Sequence, residues 1–377
     1  MQAKSIQGHS LAEIQDAFAQ NITNDFRPTL AIVFMSIKQD RTGICKSLEA
    51  LGIQVFGVTT NGEFVDGIVS KEAIAVLLLD INKAYFNIYF GEFPEKNYRE
   101  SAAAIATKAL EQFSNPAFLV SGSHLETDAE QLLWGFEDVV GKQVNIFGSM
   151  AGDDLSFTNQ FVFTNEKESS RGFVVLALDE NKVTLKGRAT CGWKPVGTPK
   201  TVTRSIGNHV FTVDDQPVLD LTAKFGGLDL LTEKSFSMEM STLFPLQLQR
   251  ETGDPVMRPG MLIDWTDRSF YCSGSVPQGS KVRFSLPPDF DVVDKVIKGC
   301  AELKATEMPE ADAVIIFSCA GRLVALGPFI DDELSGIQKI WNAPMIGMFS
   351  NAELGRATGG NLEMHNLTAC CVTLKEK

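Results

Sequence analysis

Two stretches decide the fold of this chain: Ala313-Val314-Ile315-Ile316-Phe317-Ser318-Cys319-Ala320-Gly321-Arg322, and Met345-Ile346-Gly347-Met348-Phe349-Ser350-Asn351-Ala352-Glu353. Each opens as a short, unbroken apolar run and stops abruptly in small and polar residues. Runs of this kind are expected of strands covered on both faces. A helix-like segment from about Asp332 to Trp341 separates them, and the region closes on Met364-His365-Asn366-Leu367-Thr368 and one more apolar run. The reading is strand, helix, strand, with polar groups just where the buried strands end. In an α/β layer that is where a small ligand is held.

The same plan occurs twice upstream. Leu30-Ala31-Ile32-Val33-Phe34-Met35, a helix from Thr42 to Leu51 ended by Gly52, and a strand from Ile53 to Val58 lead into Thr59-Thr60-Asn61-Gly62-Glu63. A strand over Ala117–Val120, a helix over Thr127–Val140 and a strand over Val144–Phe147 lead into Gly148-Ser149-Met150-Ala151-Gly152-Asp153-Asp154. All three breaks carry two apolar residues, a glycine and a small residue before a carboxylate, so one strand–helix–strand module is used three times. Residues 9–20, Ser101–Phe113 and Asp291–Thr306 add helices. Ala73–Ile81 and Ala84–Phe90 read as strands joined at Asn82-Lys83.

Between the second and third copies the pattern changes. Lys186–Gly197 reads as a loop carrying Trp193, and Thr201–Val213 as strands around Gly207-Asn208. A helix begins at Pro217 and ends at Gly226-Gly227, and Phe244–Phe284 reads as an antiparallel meander. The fold class is therefore α/β, with repeated strand–helix–strand modules in two closely packed domains and an antiparallel β-rich middle segment. The boundary falls near residues 197–220, dividing the chain into 1–214 and 215–377.

With 377 residues, 44% hydrophobic and 21% charged, each part has enough material for a core. A net charge of −13 without any Lys/Arg block argues against nucleic acid and against an anionic membrane surface. Met1–Gln7 lacks the apolar core of a signal peptide, and Ala73–Leu79 is too short to cross a bilayer, so no membrane insertion is expected. Seven cysteines without a C-x-x-C pair fit reduced thiols in a cytoplasm. Cys370 and Cys371, adjacent in a strand, point to opposite faces.

Several residues could carry chemistry. Thr59, Thr60, Asn61, Ser149, Ser318, Ser350, Asn351, Asn366 and Thr368 offer short hydrogen-bonding side chains at strand ends. Glu63, Asp153, Asp154 and Glu353 bring carboxylates suited to an ammonium group. Arg322 is one cation in a corresponding place, with a planar fork suited to a carboxylate. Together they describe a receptor for a zwitterion such as an amino acid; singly, each also reads as a capping or loop-tying group. His365 is a structural hydrogen-bonder or an axial haem ligand. Trp193 could line a pocket. Cys319 with His365 as base and Glu353 as orienter describes a thiol hydrolase or transferase, whereas cysteines behind strands are more often inert. Four histidines (His9, His124, His209, His365) in no i,i+4 pair make a protein-only metal site a poor expectation.

These motifs resemble the FIST sensory domains of bacterial signal transduction. The C-terminal resemblance lies in Phe317-Ser318-Cys319-Ala320-Gly321-Arg322, Gly347 to Glu353 and His365-Asn366-Leu367-Thr368, preceded by Phe244-Pro245-Leu246 through Pro277-Gln278-Gly279-Ser280. The N-terminal half is similar in Gly57 to Glu63, Gly148 to Asp154 and Gly192-Trp193-Lys194-Pro195. Ala352 stands where a glycine is expected before the acid. The resemblance implies a FIST N-terminal domain (1–214), a FIST C-terminal domain (215–377), and a non-catalytic cytoplasmic sensor of amino acids or similar small ligands. It also implies a haem-bound nitric oxide sensor as the alternative. The sequence ends at Leu374-Lys375-Glu376-Lys377 directly after its last strand, so the signal is expected to pass to a separate partner such as a histidine kinase or cyclase.

Overall fold

A computed structural model describes residues 1–123, 128–227 and 238–377. His124 and the expected helix start at Thr127 lie outside these. The first module runs β1 (Gln2–Gly8), α1 (Leu11–Asn21), β2 (Leu30–Met35), α2 (Arg41–Ala50), β3 (Gln54–Thr59), β4 (Glu63–Val65), β5 (Ile68–Ser70) and β6 (Ile74–Asp80). The second repeats it with β7 (Phe86–Glu92), α3 (Tyr98–Gln112), β8 (Pro116–Gly122), α4 (Ala129–Val140), β9 (Ile146–Met150), β10 (Val162–Phe163), β11 (Glu168–Ser169) and β12 (Gly172–Asp179).

The third module begins with β13 (Val183–Thr190) and is then interrupted. The insert contains β14 (Pro195–Ile206), β15 (His209–Val213), β16 (Gln216–Pro217), α5 (Val218–Phe225), α6 (Met238–Leu243) and β17 (Leu246–Leu248). It continues with β18 (Val256–Arg258), β19 (Gly260–Asp264), β20 (Ser269–Cys272) and β21 (Lys281–Ser285). The module resumes with α7 (Phe290–Thr306), β22 (Ala313–Cys319), α8 (Ala320–Leu326), α9 (Phe329–Trp341) and β23 (Met345–Ser350). It closes with β24 (Ala352–Arg356), β25 (Leu362–His365) and β26 (Ala369–Glu376). The chain thus has the α/β class read from sequence, and its two domains are a three-module body and an antiparallel β-rich domain within the third module.

The three body sheets have one order. They run β1-β6-β2-β3-β10-β11, β7-β12-β8-β9-β24-β25 and β13-β26-β22-β23-β4-β5. In each the central pair is parallel, and the strand glycine sits at one register: Gly57 opposite Val33, Gly148 opposite Val120, Gly347 opposite Ile316. The last two strands of each sheet come from another module. The first gives β4-β5 to the third, the third gives β24-β25 to the second, and the second gives β10-β11 to the first. Strands from either side of residue 214 therefore share sheets. β6 and β7, consecutive in the chain, lie in different sheets.

The alternation within the apolar runs follows from this arrangement. Leu30, Ile32 and Phe34 join Leu119, Ile315, Phe317 and Ile346 in one central core formed by the inner faces of all three sheets. Ala31, Val33 and Met35 face outward onto Ile14, Phe18, Ile44 and Leu48 of α1 and α2. Cys370 lies in the central core and Cys371 in the outer cluster with Cys300, so the adjacent pair does straddle its sheet. The outward glycine leaves room for a ring from the incoming strand: a Cβ on Gly347 would lie 2.0 Å from the Phe64 ring of β4. The inserted domain has its own core around Val210, Phe270, Val282 and Phe284.

Gln2–Gly8 forms a strand that the sequence reading left unassigned. Three expectations are corrected. The loop before Trp193 is shorter than expected because Val183–Thr190 pairs with β26 along its length. Ala320–Leu326 is a helix rather than part of a loop. Ala352 needs no glycine-like turn, since it already lies in β24. No helix among the described residues is long and apolar enough to cross a membrane.

Candidate functional site

The ends of β3, β9 and β23 meet at the centre of the body. The shared register makes Asn61, Gly152 and Asn351 equivalent, each four residues beyond its strand glycine. Their N–H groups form a cycle: Asn61 donates to the Phe349 carbonyl (2.9 Å), Asn351 to that of Met150 (3.1 Å), and Gly152 to that of Thr59 (2.8 Å). Side chains reinforce it. Asn61 Nδ2 donates to Asn351 Oδ1 at 2.9 Å, Asn351 Nδ2 to the Ala151 carbonyl at 2.7 Å, and Thr59 Oγ1 to the Gly152 carbonyl at 2.7 Å. Buried amides and hydroxyls matched this fully fix one arrangement of the modules.

Six residues past the strand glycines stand Glu63, Asp154 and Glu353, so the third equivalent acid is Asp154 rather than Asp153. Glu63 is buried, accepts from the Thr60 hydroxyl and from the Ala73 N–H (3.1 Å), and burial pushes its pKa up to about 8. Asp154 accepts from the Ser36 hydroxyl at 2.6 Å. Glu353 accepts from Ser350 Oγ at 2.7 Å, while its Oε2 has no hydrogen-bond partner among the described residues. Burial raises the Glu353 pKa well above the ordinary carboxylate range. Cys319 lies beside it, and burial together with the Glu353 charge holds the thiol protonated. A protonated thiol is a poor nucleophile.

Arg322 does not face a ligand. It is fully buried in a two-pronged contact with Glu333 of α9, Nε to Oε1 at 3.1 Å and Nη2 to Oε2. Its Nη1 donates to the carbonyls of Cys191 (2.7 Å) and Leu367 (3.0 Å), and its guanidinium lies 5.3 Å from the Trp193 ring. Burial opposes its charge, but Glu333 outweighs this and raises its pKa. Trp193 is buried, with Nε1 donating to the Thr242 carbonyl at 3.1 Å. Asp153 caps its own loop, accepting from the N–H groups of Phe157 (3.0 Å), Thr158 (2.6 Å) and Asn159 (3.1 Å) and from Gln160 Nε2 (2.7 Å). Ser149 shares a bond with Ser121 at 3.1 Å, and Ser318 Oγ is buried without a partner among the described residues.

His365 is buried, its Nε2 lies 3.2 Å from the Gly355 carbonyl, and burial lowers its pKa to about 4. It lines a hollow of about 20 Å³ with Trp193 and Thr368, whereas Cys319 lines a different pocket. A space of that size does not fit a haem, and the ring nitrogen is already engaged. The residues present do not fit an axial haem ligand here.

The pocket beside Cys319 measures about 60 Å³. Cys319, Ser350, Asn351 and Asn366 give it polar groups, and Leu155, Phe157, Leu367 and Met261 give it an apolar rim. Leu155, Phe157 and Leu367 have φ of 61°, 52° and 54°. Every other non-glycine residue with positive φ among those described is charged or an asparagine. Bulky apolar residues rarely adopt this conformation, and such strain gathers at functional sites.

The residues singled out in the sequence hold this rim. Asn61 Oδ1 accepts the Leu155 N–H at 2.9 Å, Asp153 takes the Phe157 N–H, and Arg322 takes the Leu367 carbonyl. Thr368 Oγ1 bonds the Asn366 carbonyl at 3.0 Å. Sequence reasoning missed Leu155, Phe157, Met261 and Leu367 as lining groups. Apolar residues straight after Asp153-Asp154 were the available signal for the first two; nothing local marks Met261.

Fold and pocket together define a multi-module α/β protein with a strained recess where its strands end. The FIST N domain family model matches residues 29–216 and the FIST C domain model residues 228–356. The chain belongs to the FIST family, whose domains are sensory, non-catalytic and implicated in small-molecule binding and signalling. No curated protein matches it.

Proposed function

We propose that this chain is a cytoplasmic sensor that takes an amino acid or similar small ligand into the pocket beside Cys319 and signals to a separate partner such as a histidine kinase or cyclase. One observation carries the reading: three bulky apolar residues, from two different modules, are held in left-handed backbone around one pocket. Asn351, Asn366 and the Ser350 hydroxyl on the pocket wall supply polar recognition. Seven free cysteines favour a reducing compartment.

At about 60 Å³ the pocket admits roughly two waters. An amino acid therefore has to move the rim as it enters. Relaxing strained residues would make the ligand prefer an opened form, and preference for one form is what shifts a population. Phe157 and Met261, each 38% exposed, are the residues free to swing.

Thermal melting against an amino-acid library tests this, because a ligand of the native state raises the melting temperature. At least one compound should give a saturable rise. Phe157→Gly, which fits φ of 52° without strain, should leave the unliganded protein as stable or more so and weaken that response. No shift with any compound, or an undiminished shift in both Phe157→Gly and Met261→Ala, rejects the reading.

A further inference from the structure

A second recess, of about 420 Å³, lies where α4, the inserted domain and β25 come together. That is within the usual range for small-ligand sites. Three carboxylates on its wall already have partners: Glu130 lies 2.7 Å from Arg258, Glu363 2.5 Å from Arg250, and Glu137 3.9 Å from Arg356. Three acids against three guanidiniums cancel. Lys142, also on the wall, is exposed and makes no close ion pair among the described residues, though its charge reaches Glu137, so four cations stand against three acids and one positive charge is left over. The Nε–H of Arg250 is buried with no acceptor among the described residues. A buried donor of that kind is costly to leave unmatched, and a guanidinium edge suits a carboxylate. Trp134, 40% exposed, and Leu362 supply apolar wall.

We propose that this groove is a binding site for a small organic monoanion, its carboxylate taken by the Lys142 ammonium and, as the Arg250 side chain turns its Nε–H into the groove, by that donor, with its apolar body laid against Trp134 and Leu362. The site is separate from the pocket beside Cys319 and stands or falls independently of it. The net charge of −13 repels anions at long range, so recognition has to come from these local donors.

Titrating the full chain with phenylacetate, phenylacetamide and benzylamine while following tryptophan emission tests the proposal. A ligand of this size at ordinary efficiency gives a Kd on the order of 1 mM. Phenylacetate should alter emission saturably, Trp134→Phe should remove that change, and the neutral and cationic analogues should bind at least about fivefold more weakly. Lys142→Gln, at an exposed position, should weaken phenylacetate about tenfold, and Arg250→Gln should abolish its binding with the melting temperature as a folding control. Absence of saturation, equal binding of phenylacetamide, or an unchanged Kd in Lys142→Gln overturns it.

Discussion

Arg322 shows how a correctly chosen residue can have a different task from the one its chemistry suggests. The sequence presents it as a lone cation at a strand end, and a planar fork there reads as a carboxylate clamp. Its carboxylate is internal. Glu333 lies on the next helix, and only the crossing of α8 and α9 brings the two together, which no local spacing reveals. Both side chains are fully buried, so removing one charge strands the other. Glu333→Gln should cost about 3–5 kcal/mol in urea unfolding, and Arg322→Met with Glu333→Leu together should recover most of it. A loss under about 1 kcal/mol would show that the pair does not organise this region. Asp153 carries the same lesson: a carboxylate after a glycine break reads as ligand contact, yet it accepts four bonds from its own loop.

Most strands and helices were legible because continuous apolar runs, capping residues and glycine stops are local signals. Ser10 caps α1 by accepting the Glu13 N–H, as its position predicts. α8 was not legible, being a seven-residue helix with no side-chain cap. The strand glycines stand at the breaks where a ligand is expected, but their neighbours are protein. A Cβ on Gly347 or Gly57 would strike the ring of Phe64 or Phe163, contributed by another module, while one on Gly148 would lie 1.7 Å from the Val120 carbonyl oxygen. Gly347→Ala should therefore destabilise by about 1–3 kcal/mol, with Phe64→Leu restoring part of the loss. Gly148→Ala should cost more and find no side-chain rescue, since backbone stands in its way. Equal costs in chemical denaturation, both rescued or neither, would contradict this packing.

Two buried groups pull the stability of the entire chain in opposite directions with pH. Glu63 keeps its proton up to about pH 8 when folded, against 4.5 for its ordinary value, so the native state holds more protons than the unfolded one in that interval. Stability then falls as pH rises from 4.5 to 8. His365 stays neutral down to about pH 4 when folded, against 6.5, so stability falls as pH drops from 6.5 to 4. Melting temperature should peak in mildly acidic buffer, with Glu63→Gln flattening the alkaline side and His365→Gln the acidic side. Unchanged flanks in both variants would remove these residues as the cause.

Because each module finishes its neighbour's sheet, the molecule has no natural cutting point. A fragment ending between β12 and β13 would keep β4-β5 without the strand they cap, and would leave β9 with a bare edge where β24 belongs. Such an edge invites strand addition from another molecule. Pieces made to the limits of either family-matched segment should accordingly clump or stay unfolded when expressed singly, and should become soluble when the two are supplied in the same cell, like the interlocked staves of a hoop that stands only once closed.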